Sequence, residues 1–230
     1  MASVNVIIVA AGSGLRFGAP LPKQFCNLNG RPVVMATIEA LRSSLPEARL
    51  TLVINPDMED LWLDLCSKHN FQSPEITHGG ATRWESVRNA IIKSDEAEII
   101  LVHDAVRPMI SDKIIKPLMS AITSDNSVDG AIPAVPVTDS LRIVKEDGTS
   151  SSIDRNIMRA VQTPQAFKGD RLRKAYSLPY RREFTDDASV MESAGFSHIV
   201  LTEGSHDNIK ITNPGDIAVA EILIKERTGK

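Results

Sequence analysis

The residues best suited to chemistry stand near the start of the chain, in a glycine-rich stretch that follows an apolar run. Glycines occupy positions 12, 14 and 18, and Arg16 and Lys23 add two cations to the same stretch. Glycine lets the backbone approach a ligand closely and present its N–H groups, which suits a phosphate, as the cations do. The stretch therefore predicts a site for a nucleotide phosphate.

Two familiar phosphate-binding loops do not match this stretch. The dinucleotide fingerprint requires G-x-G-x-x-G and an acidic residue about twenty positions later. Here the third glycine comes one residue late, and Arg31-Pro32-Val33-Val34 stands where the acid belongs. A P-loop requires G-K-[ST], which is absent. A P-loop NTPase and a plain NAD-dependent dehydrogenase are both excluded.

The order of an apolar strand, A-A-G-x-G-x-R and then P-K-Q resembles the signature loop of nucleotidyltransferases that join an NTP to a phosphorylated small molecule. That resemblance implies a backbone wrapped around the triphosphate, with Arg16 and Lys23 acting on the phosphorus that is attacked. For the loop alone, a glycine turn with two solvated cations stays open as the simpler interpretation.

A second candidate is Asp104, which follows the apolar run EIILV at 98–102. A carboxylate at the end of a buried strand is unfavourable unless it meets a cation or a metal. For triphosphate chemistry the natural partner is Mg²⁺, which prefers carboxylate and phosphate oxygens. The alternative is an aspartate that starts a turn. The neighbouring His103 is interpreted as a structural hydrogen-bonding residue.

Composition sets the frame for these residues. The 230 residues suffice for one α/β domain that buries about 70% of its unfolded surface. The net charge is −3, and residues of both charges are mixed along the chain, which disfavours a surface patch that binds nucleic acid or a membrane. The two cysteines, Cys26 and Cys66, form no CxxC pair and favour a reducing compartment. Without a signal-peptide pattern or a long apolar stretch, we expect a cytoplasmic protein.

Hydrophobic periodicity predicts alternating strands and helices. Strands are predicted at 4–11, 49–54, 75–77, 98–102, 128–135, 198–201 and 208–211. Helices are predicted at 32–44, 55–69, 83–94, 111–123, 169–177, 187–194 and 213–227. Such alternation indicates an α/β, Rossmann-like, mostly parallel sheet with helices on both faces. Ligands of such sheets lie beyond the carboxyl ends of the strands, where the glycine stretch, Gly79-Gly80 and Asp104 should converge.

The alternation breaks at about 138–161. Residues 141–144 are extended, 146–148 form a turn, and the following residues resume without helical periodicity. We interpret this as an antiparallel β-arm on a single domain that spans 1–230. Because an isolated two-stranded arm is marginally stable, we expect it to pack on a second copy of the chain.

An ordered set of motifs then narrows the function. It comprises AAGSGLRFG, PKQF, GGATRWESV, VHDAVRP, PVTDS, DRN, TPQAF, TDDAS and DNIKIT, and runs from residue 10 to 212. The set resembles the 2-C-methyl-D-erythritol 4-phosphate cytidylyltransferases of the non-mevalonate isoprenoid route. This resemblance implies the nucleotide-diphospho-sugar transferase type of fold, CTP and a sugar-alcohol phosphate as substrates, Mg²⁺, and a homodimer in which each β-arm completes the other subunit's site.

The same resemblance implies roles for individual residues. The nucleotide would be surrounded, largely through backbone groups, by Ala10, Ala11, Gly12, Ser13, Gly14, Gly80, Ala81, Ser86, Asp104 and Ala105. Arg16 and Lys23 would stabilise the transition state, while Arg155 and Lys210 would position the sugar-alcohol phosphate for attack. The substrate side would be lined by Asp104, Arg107, Thr138, Arg155, Thr185 and Lys210, with Asp104 also near the metal.

We therefore expect a cytidylyltransferase that makes 4-diphosphocytidyl-2-C-methyl-D-erythritol. One alternative is the same chemistry on ribitol 5-phosphate, since that sister family shares the nucleotide loop. Another is a catalytically silent nucleotide-binding protein of the same fold. The loss of Lys23, Asp104 or Lys210 would mark a silent protein, and all of them are present.

Overall fold

The computed structural model describes residues 2–12, 21–94 and 96–228. Its strands are β1 (Val4–Ala10), β2 (Asn27–Leu28), β3 (Arg31–Pro32), β4 (Arg49–Ile54), β5 (Glu75–His78), β6 (Ile99–Asp104), β7 (Gly130–Pro136), β8 (Leu141–Val144), β9 (Ser150–Ile153), β10 (Arg159–Val161), β11 (Gln165–Lys168) and β12 (Ile199–Glu203). Its helices are α1 (Val33–Ser44), α2 (Glu59–Lys68), α3 (Arg83–Ile92), α4 (Asp112–Ser124), α5 (Gly169–Ala175), α6 (Asp187–Ser193) and α7 (Gly215–Thr228). Single-turn 3-10 helices lie at Lys23–Phe25, Pro56–Met58 and Arg155–Ile157.

Eight of the described strands form one large sheet in the order β10-β7-β11-β6-β1-β4-β5, with β12 also paired to β7, whereas β2 pairs with β3 and β8 with β9 in separate two-stranded sheets. Strands β6, β1, β4 and β5 run parallel, as β12 does to β7. Strand β11, which sequence periodicity did not predict, lies antiparallel between β6 and β7. The prediction of a mostly parallel α/β sheet is confirmed.

Helices cover both faces of the sheet because the central strands are apolar on both sides. Val6 and Ile8 of β1 point into a core shared with α1, α2 and α4, whereas Ile7 points into a core shared with α3, α5 and α6. Successive side chains of a strand alternate between faces, so an unbroken apolar run such as β1 serves two cores at once. No helix in the described ranges has the length and apolar character needed to cross a membrane.

The carboxyl ends of the parallel strands are level with one another. Val9 is in register with Asp104, Ala10 with Ile54, and Ile54 with His78. The segments that leave β1, β5 and β6 therefore meet at one edge of the sheet, as the sequence predicted. This edge carries the candidate site.

The antiparallel arm of the fold prediction is present as a hairpin of β8 and β9, which pair with each other in a separate two-stranded sheet. Its turn is closed by the N–H of Lys145 donating to the carbonyl of Thr149 at 2.9 Å. The side chains of Ile143 and Val144 are exposed. The arm is shorter than the predicted stretch 138–161, because Arg159–Val161 at its end form β10, which pairs with β7 in the main sheet.

The predicted strand at 208–211 is wrong. Ile211 donates its N–H to the carbonyl of Val106 at 2.9 Å, but the carbonyl of Asn208 accepts from the side chain of Arg107 at 2.7 Å. The guanidinium of Arg107 thus uses the carbonyl that would otherwise accept from the backbone of a neighbouring strand. The segment instead lies over the sheet edge and carries Lys210 to the site.

Candidate active site

A cleft of about 540 Å³ opens at the carboxyl ends of β1, β4, β5 and β6. Many residues predicted from the sequence line it, namely Ala10, Ala11, Gly12, Lys23, Gly80, Ala81, Ser86, Asp104 and Lys210. The walls thus combine backbone of low steric bulk with both signs of charge. Such a concave site with a few converging polar groups is typical of small-ligand binding.

One wall is the turn between β5 and α3, where two glycines allow close packing. A Cβ atom on Gly79 would collide with the Cβ of Ala11, and one on Gly80 would lie 2.5 Å from the Cβ of Glu85. Only glycine therefore fits at these positions without displacing a neighbour. The ends of β1 and β5 come together as a consequence.

The same turn is held by a capping box at the start of α3. The hydroxyl of Thr82 accepts from the N–H of Glu85 at 3.0 Å, and the carboxylate of Glu85 accepts from the N–H of Thr82 at 3.1 Å. The oxygen of Ser86 accepts from the N–H of Gly80 at 3.1 Å, while its hydroxyl donates to the carbonyl of Thr82 at 2.9 Å. The only hydroxyl hydrogen of Ser86 is thus used inside the turn, where it fixes Gly80.

At the floor of the cleft, Asp104 lies among cations. Its Oδ2 is 2.9 Å from Nζ of Lys210 and 3.3 Å from Nε of Arg107. Burial alone would raise the pKa of Asp104, but the positive charges of Lys210, Arg83 and Arg107 outweigh it and hold the pKa well below its ordinary value. The carboxylate stays ionised at neutral pH and can act as a ligand for a cation.

Behind Asp104, a hydrogen-bonded chain fixes the backbone. The N–H of Asp104 donates to the hydroxyl of Thr163 at 3.0 Å, and this hydroxyl lies 3.1 Å from Nδ1 of His103. Nε2 of His103 lies 3.1 Å from the carbonyl of Arg107, which can only accept. The ring is therefore the neutral Nε2–H tautomer, with Nδ1 accepting from Thr163. Burial lowers the pKa of His103 to about 4 against the opposing effect of Asp104, so the ring is neutral at pH 7.

Several predicted site residues lie elsewhere in the described chain. Ala105 is buried under the floor, where its N–H donates to the carbonyl of Val9 at 3.1 Å. Arg155 and Thr138 are exposed beside the arm, and the guanidinium of Arg155 donates to the carbonyl of Thr138. Thr185 is exposed just before α6, with its N–H donating to Ser189 at 3.1 Å. None of these is among the described residues that line the cleft.

Three predicted residues fall outside the described residues. They are Ser13, Gly14 and Arg16.

Sequence reasoning missed other residues of the cleft wall, among them Gln24 and Arg83. Arg83 forms a two-pronged ion pair with Asp187, at 3.0 Å and 2.6 Å, and Asp187 also accepts from the hydroxyl of Tyr176 at 2.5 Å. Asp187 is fully buried. The available signal was the position of Arg83 at the first turn of a helix directly after a strand end, together with an unexplained acidic pair in TDDAS.

The side chains available as metal ligands indicate which kind of metal ion the cleft suits. In the described parts of the chain, no group of three or more His, Cys, Asp or Glu side chains could hold an ion by itself. Asp104 supplies carboxylate oxygens at the floor of the cleft. Because Mg²⁺ is commonly bound by one or two carboxylates together with substrate phosphates and waters, this donor fits Mg²⁺ better than a metal that needs a complete protein cage.

Known proteins share both the sequence and the fold. Residues 4–226 match the family described as 2-C-methyl-D-erythritol 4-phosphate cytidylyltransferase. The protein of that name from Bacteroides fragilis is 39% identical over 221 residues, which cover 96% of this chain and 99% of the relative.

Solved structures agree with the sequence match. The 4-diphosphocytidyl-2C-methyl-D-erythritol synthase from Anaerococcus prevotii superposes with a TM-score of 0.80 at 26% identity, covering 97% of this chain and 96% of the other. The 2-C-methyl-D-erythritol 4-phosphate cytidylyltransferase from Francisella tularensis superposes with a TM-score of 0.78 at 29% identity, covering 96% and 99%. The similarity extends over nearly the whole length of each chain.

Proposed function

Because this chain belongs to the 2-C-methyl-D-erythritol 4-phosphate cytidylyltransferase family, we propose that it transfers CMP from CTP to 2-C-methyl-D-erythritol 4-phosphate in non-mevalonate isoprenoid biosynthesis. The products are 4-diphosphocytidyl-2-C-methyl-D-erythritol and pyrophosphate. The observation that carries this proposal is the meeting of Lys23, Asp104 and Lys210 in a cleft walled by the ends of β1 and β5. The comparisons favour methylerythritol phosphate over ribitol phosphate as the acceptor.

The nucleotide occupies the part of the cleft between Ala10–Gly12 and Gly80–Ala81. Small residues at these positions let the backbone approach the ligand, and the capping box keeps the second turn in place before CTP arrives. Ser13 and Gly14 continue the nucleotide site in this proposal, and Ser86 acts by fixing Gly80.

The reaction is an in-line displacement at the α-phosphorus of CTP. An oxygen of the acceptor's phosphate monoester, already ionised near neutral pH, forms the new P–O bond. The bond to the β-phosphate oxygen breaks, and pyrophosphate leaves with the electron pair. Since the nucleophile needs no deprotonation, catalysis depends on bringing two polyanions together and on offsetting their charge.

The cations of the cleft meet that requirement. Lys23 and Arg16 act on the α-phosphate and the leaving group, and Lys210 orients the acceptor phosphate. Arg107 holds the segment of Lys210 through the carbonyl of Asn208, 2.7 Å from its Nη1. Together these charges supply several kcal/mol of transition-state stabilisation. A single well-placed donor contributes about 3 kcal/mol.

Asp104 is the residue that would hold Mg²⁺, with phosphate oxygens and waters completing the coordination. When bound, the ion offsets negative charge on the triphosphate. The depressed pKa of Asp104 supports this assignment, because the carboxylate is available as an anion throughout the neutral range.

Arg155 and Thr138 complete the site of a second subunit in a homodimer. Two observations support this arrangement: they lie outside the cleft of their own chain, and the neighbouring hairpin exposes Ile143 and Val144. Apolar side chains on an isolated hairpin call for a covering surface. Thr185 faces the acceptor in the same proposal. A cytoplasmic location remains a prediction, supported by the free thiols of Cys26 and Cys66.

A substrate panel tests the proposed function. Pyrophosphate release is measured with Mg²⁺ and each of CTP, UTP, ATP and GTP, with methylerythritol 4-phosphate and ribitol 5-phosphate in parallel. We expect the highest kcat/KM for CTP with methylerythritol 4-phosphate. A preference for ribitol 5-phosphate, or equal release without an acceptor, would contradict the proposal.

A further inference from the structure

We propose that Gln24 is a positioning residue that holds the end of β1 and Lys23 in their catalytic relationship. Its side chain joins two parts of the cleft wall that are separate in sequence: the segment Ala10–Gly12 and the 3-10 turn that carries Lys23. This inference rests on the proposed function, since it concerns how that reaction is organised.

The contacts of Gln24 are specific to an amide. Nε2 donates to the carbonyl of Ala10 at 2.7 Å and to the carbonyl of Gly12 at 2.9 Å. An amide nitrogen carries two hydrogens, and both are used here. The orientation of the amide follows from chemistry, because two carbonyl oxygens cannot accept from the oxygen of Gln24. Glutamate has the same shape but neither donor.

The turn around Gln24 is itself anchored. Gln24 is 2% exposed, and the adjacent Phe25 lies in the core against Trp62. The N–H of Phe25 donates to the carbonyl of Pro22 at 2.9 Å, and that of Cys26 donates to the carbonyl of Lys23 at 3.2 Å. Lys23 therefore sits on a short turn that is fixed to the core on one side and to the end of β1 by Gln24 on the other.

The electrostatics of the two bonds favour an anionic ligand. The carbonyl oxygens of Ala10 and Gly12 carry partial negative charge beside a site that receives a triphosphate. Hydrogen bonds from Gln24 offset that charge and fix the direction of both carbonyls, and with them the orientation of the backbone at Ala10 and at Gly12. Gln24 thus acts on the nucleotide through the backbone and on the α-phosphate through the placement of Lys23.

Two substitutions of similar shape test this role. Gln24→Met removes both donors without adding charge, and Gln24→Glu replaces the donors by a carboxylate that faces two carbonyl oxygens. We expect Gln24→Met to lower kcat at least tenfold and to raise the KM for CTP, while the KM for methylerythritol 4-phosphate stays within twofold. Gln24→Glu should show the same pattern with a larger effect. CTP binding, measured by calorimetry without the acceptor, should weaken in the same order.

Controls separate positioning from stability and from charge. Ile122→Ala removes a buried side chain by which α4 packs on the core and so lowers stability alone. Gln72→Glu makes the same amide-to-carboxylate change as Gln24→Glu, but at an exposed site. Both should keep wild-type kcat and KM per folded chain, with the folded fraction taken from circular dichroism. Wild-type constants per folded chain in Gln24→Met, or equal changes in both KM values, would overturn this proposal. An inactive wild-type protein would instead contradict the proposed function.

Discussion

Lys210 and Asp104 form an ion pair across the floor of the cleft, with Nζ 2.9 Å from Oδ2. Lys210 arrives on the segment after β12, and Asp104 is the last residue of β6. The pair joins the residue assigned to the acceptor phosphate to the residue assigned to the metal. Neutralising either residue should therefore impair the use of both CTP and the acceptor phosphate.

Asp104→Asn tests the acidic member. The amide keeps the shape but loses the charge that pairs with Lys210 and that, in the proposed function, attracts a divalent cation. We expect kcat to fall on the order of a hundredfold and the Mg²⁺ concentration for half-maximal rate to rise. Steady-state rates over a Mg²⁺ titration measure both effects. The exposed Asp60→Asn serves as control, and an unchanged Mg²⁺ midpoint in Asp104→Asn would speak against the metal assignment.

Lys23→Ala tests the cation beside the glycine turn. Because Lys23 lines the cleft, its removal should lower turnover by two or more orders of magnitude with the fold intact. Turnover and circular dichroism of this variant are compared with those of Lys116→Ala, which changes an exposed lysine paired with Asp112. Near wild-type turnover in Lys23→Ala would remove Lys23 from the mechanism.

A mixing experiment tests the shared site. If Arg155 serves the partner's cleft, a hybrid dimer of a Lys23→Ala chain and an Arg155→Ala chain holds one intact site and one with both changes. Random reassortment of the two inactive variants should restore about a quarter of wild-type activity, since half of the dimers are hybrids with one intact site each. Activity that remains at the average of the separate variants would show that each chain uses its own Arg155.

The buried His103 predicts a pH dependence of stability. Burial lowers its pKa from 6.5 to about 4, so between these values the unfolded chain binds a proton that the native chain does not. The free energy of unfolding should therefore fall as pH falls from about 6.5 towards 4, by on the order of 3 kcal/mol from this group. Urea unfolding of metal-free protein at pH 7 and pH 4.5 measures the change.

In the variant His103→Gln, the free energy of unfolding should no longer show this part of its dependence on pH. In His198→Gln, which changes an exposed histidine, the dependence should be kept. Equal slopes in all three proteins would contradict the neutral, buried state of His103.

Asp187 predicts a large effect on stability. Asp187→Ala leaves Arg83 without its buried counter-charge and the hydroxyl of Tyr176 without its acceptor. We expect a loss of about 3 kcal/mol in the free energy of unfolding. Asp112→Ala, which breaks a pair exposed on both sides, should change it far less. Comparable urea midpoints for the two variants would refute this account of the Arg83–Asp187 pair.

The parts of the fold that followed from sequence are those with local causes. The run of β1 is apolar on both sides, so it requires a covering layer of helices on each face of the sheet. Asp104 stood out because it follows such a run. The turn at Gly79–Gly80 was visible because glycine is needed where two backbones approach closely.

The parts that did not follow depend on contacts between distant segments. Strand β11 is four residues long, and its place between β6 and β7 is decided by pairing that periodicity does not report. The segment at 208–211 has the composition of a strand, but Arg107 and Val106 use its backbone groups in another way. Asp187 and Gln24 look like ordinary polar residues until their partners, Arg83 and the end of β1, are brought beside them.

The most direct test of the function is a product analysis of the wild-type protein. CTP, methylerythritol 4-phosphate and Mg²⁺ are incubated with the enzyme and followed by ³¹P nuclear magnetic resonance. We expect a pair of coupled diphosphate resonances from the new cytidyl diphosphate linkage, growing in a one-to-one ratio with pyrophosphate. Release of pyrophosphate together with free CMP, or no consumption of the acceptor phosphate, would contradict it.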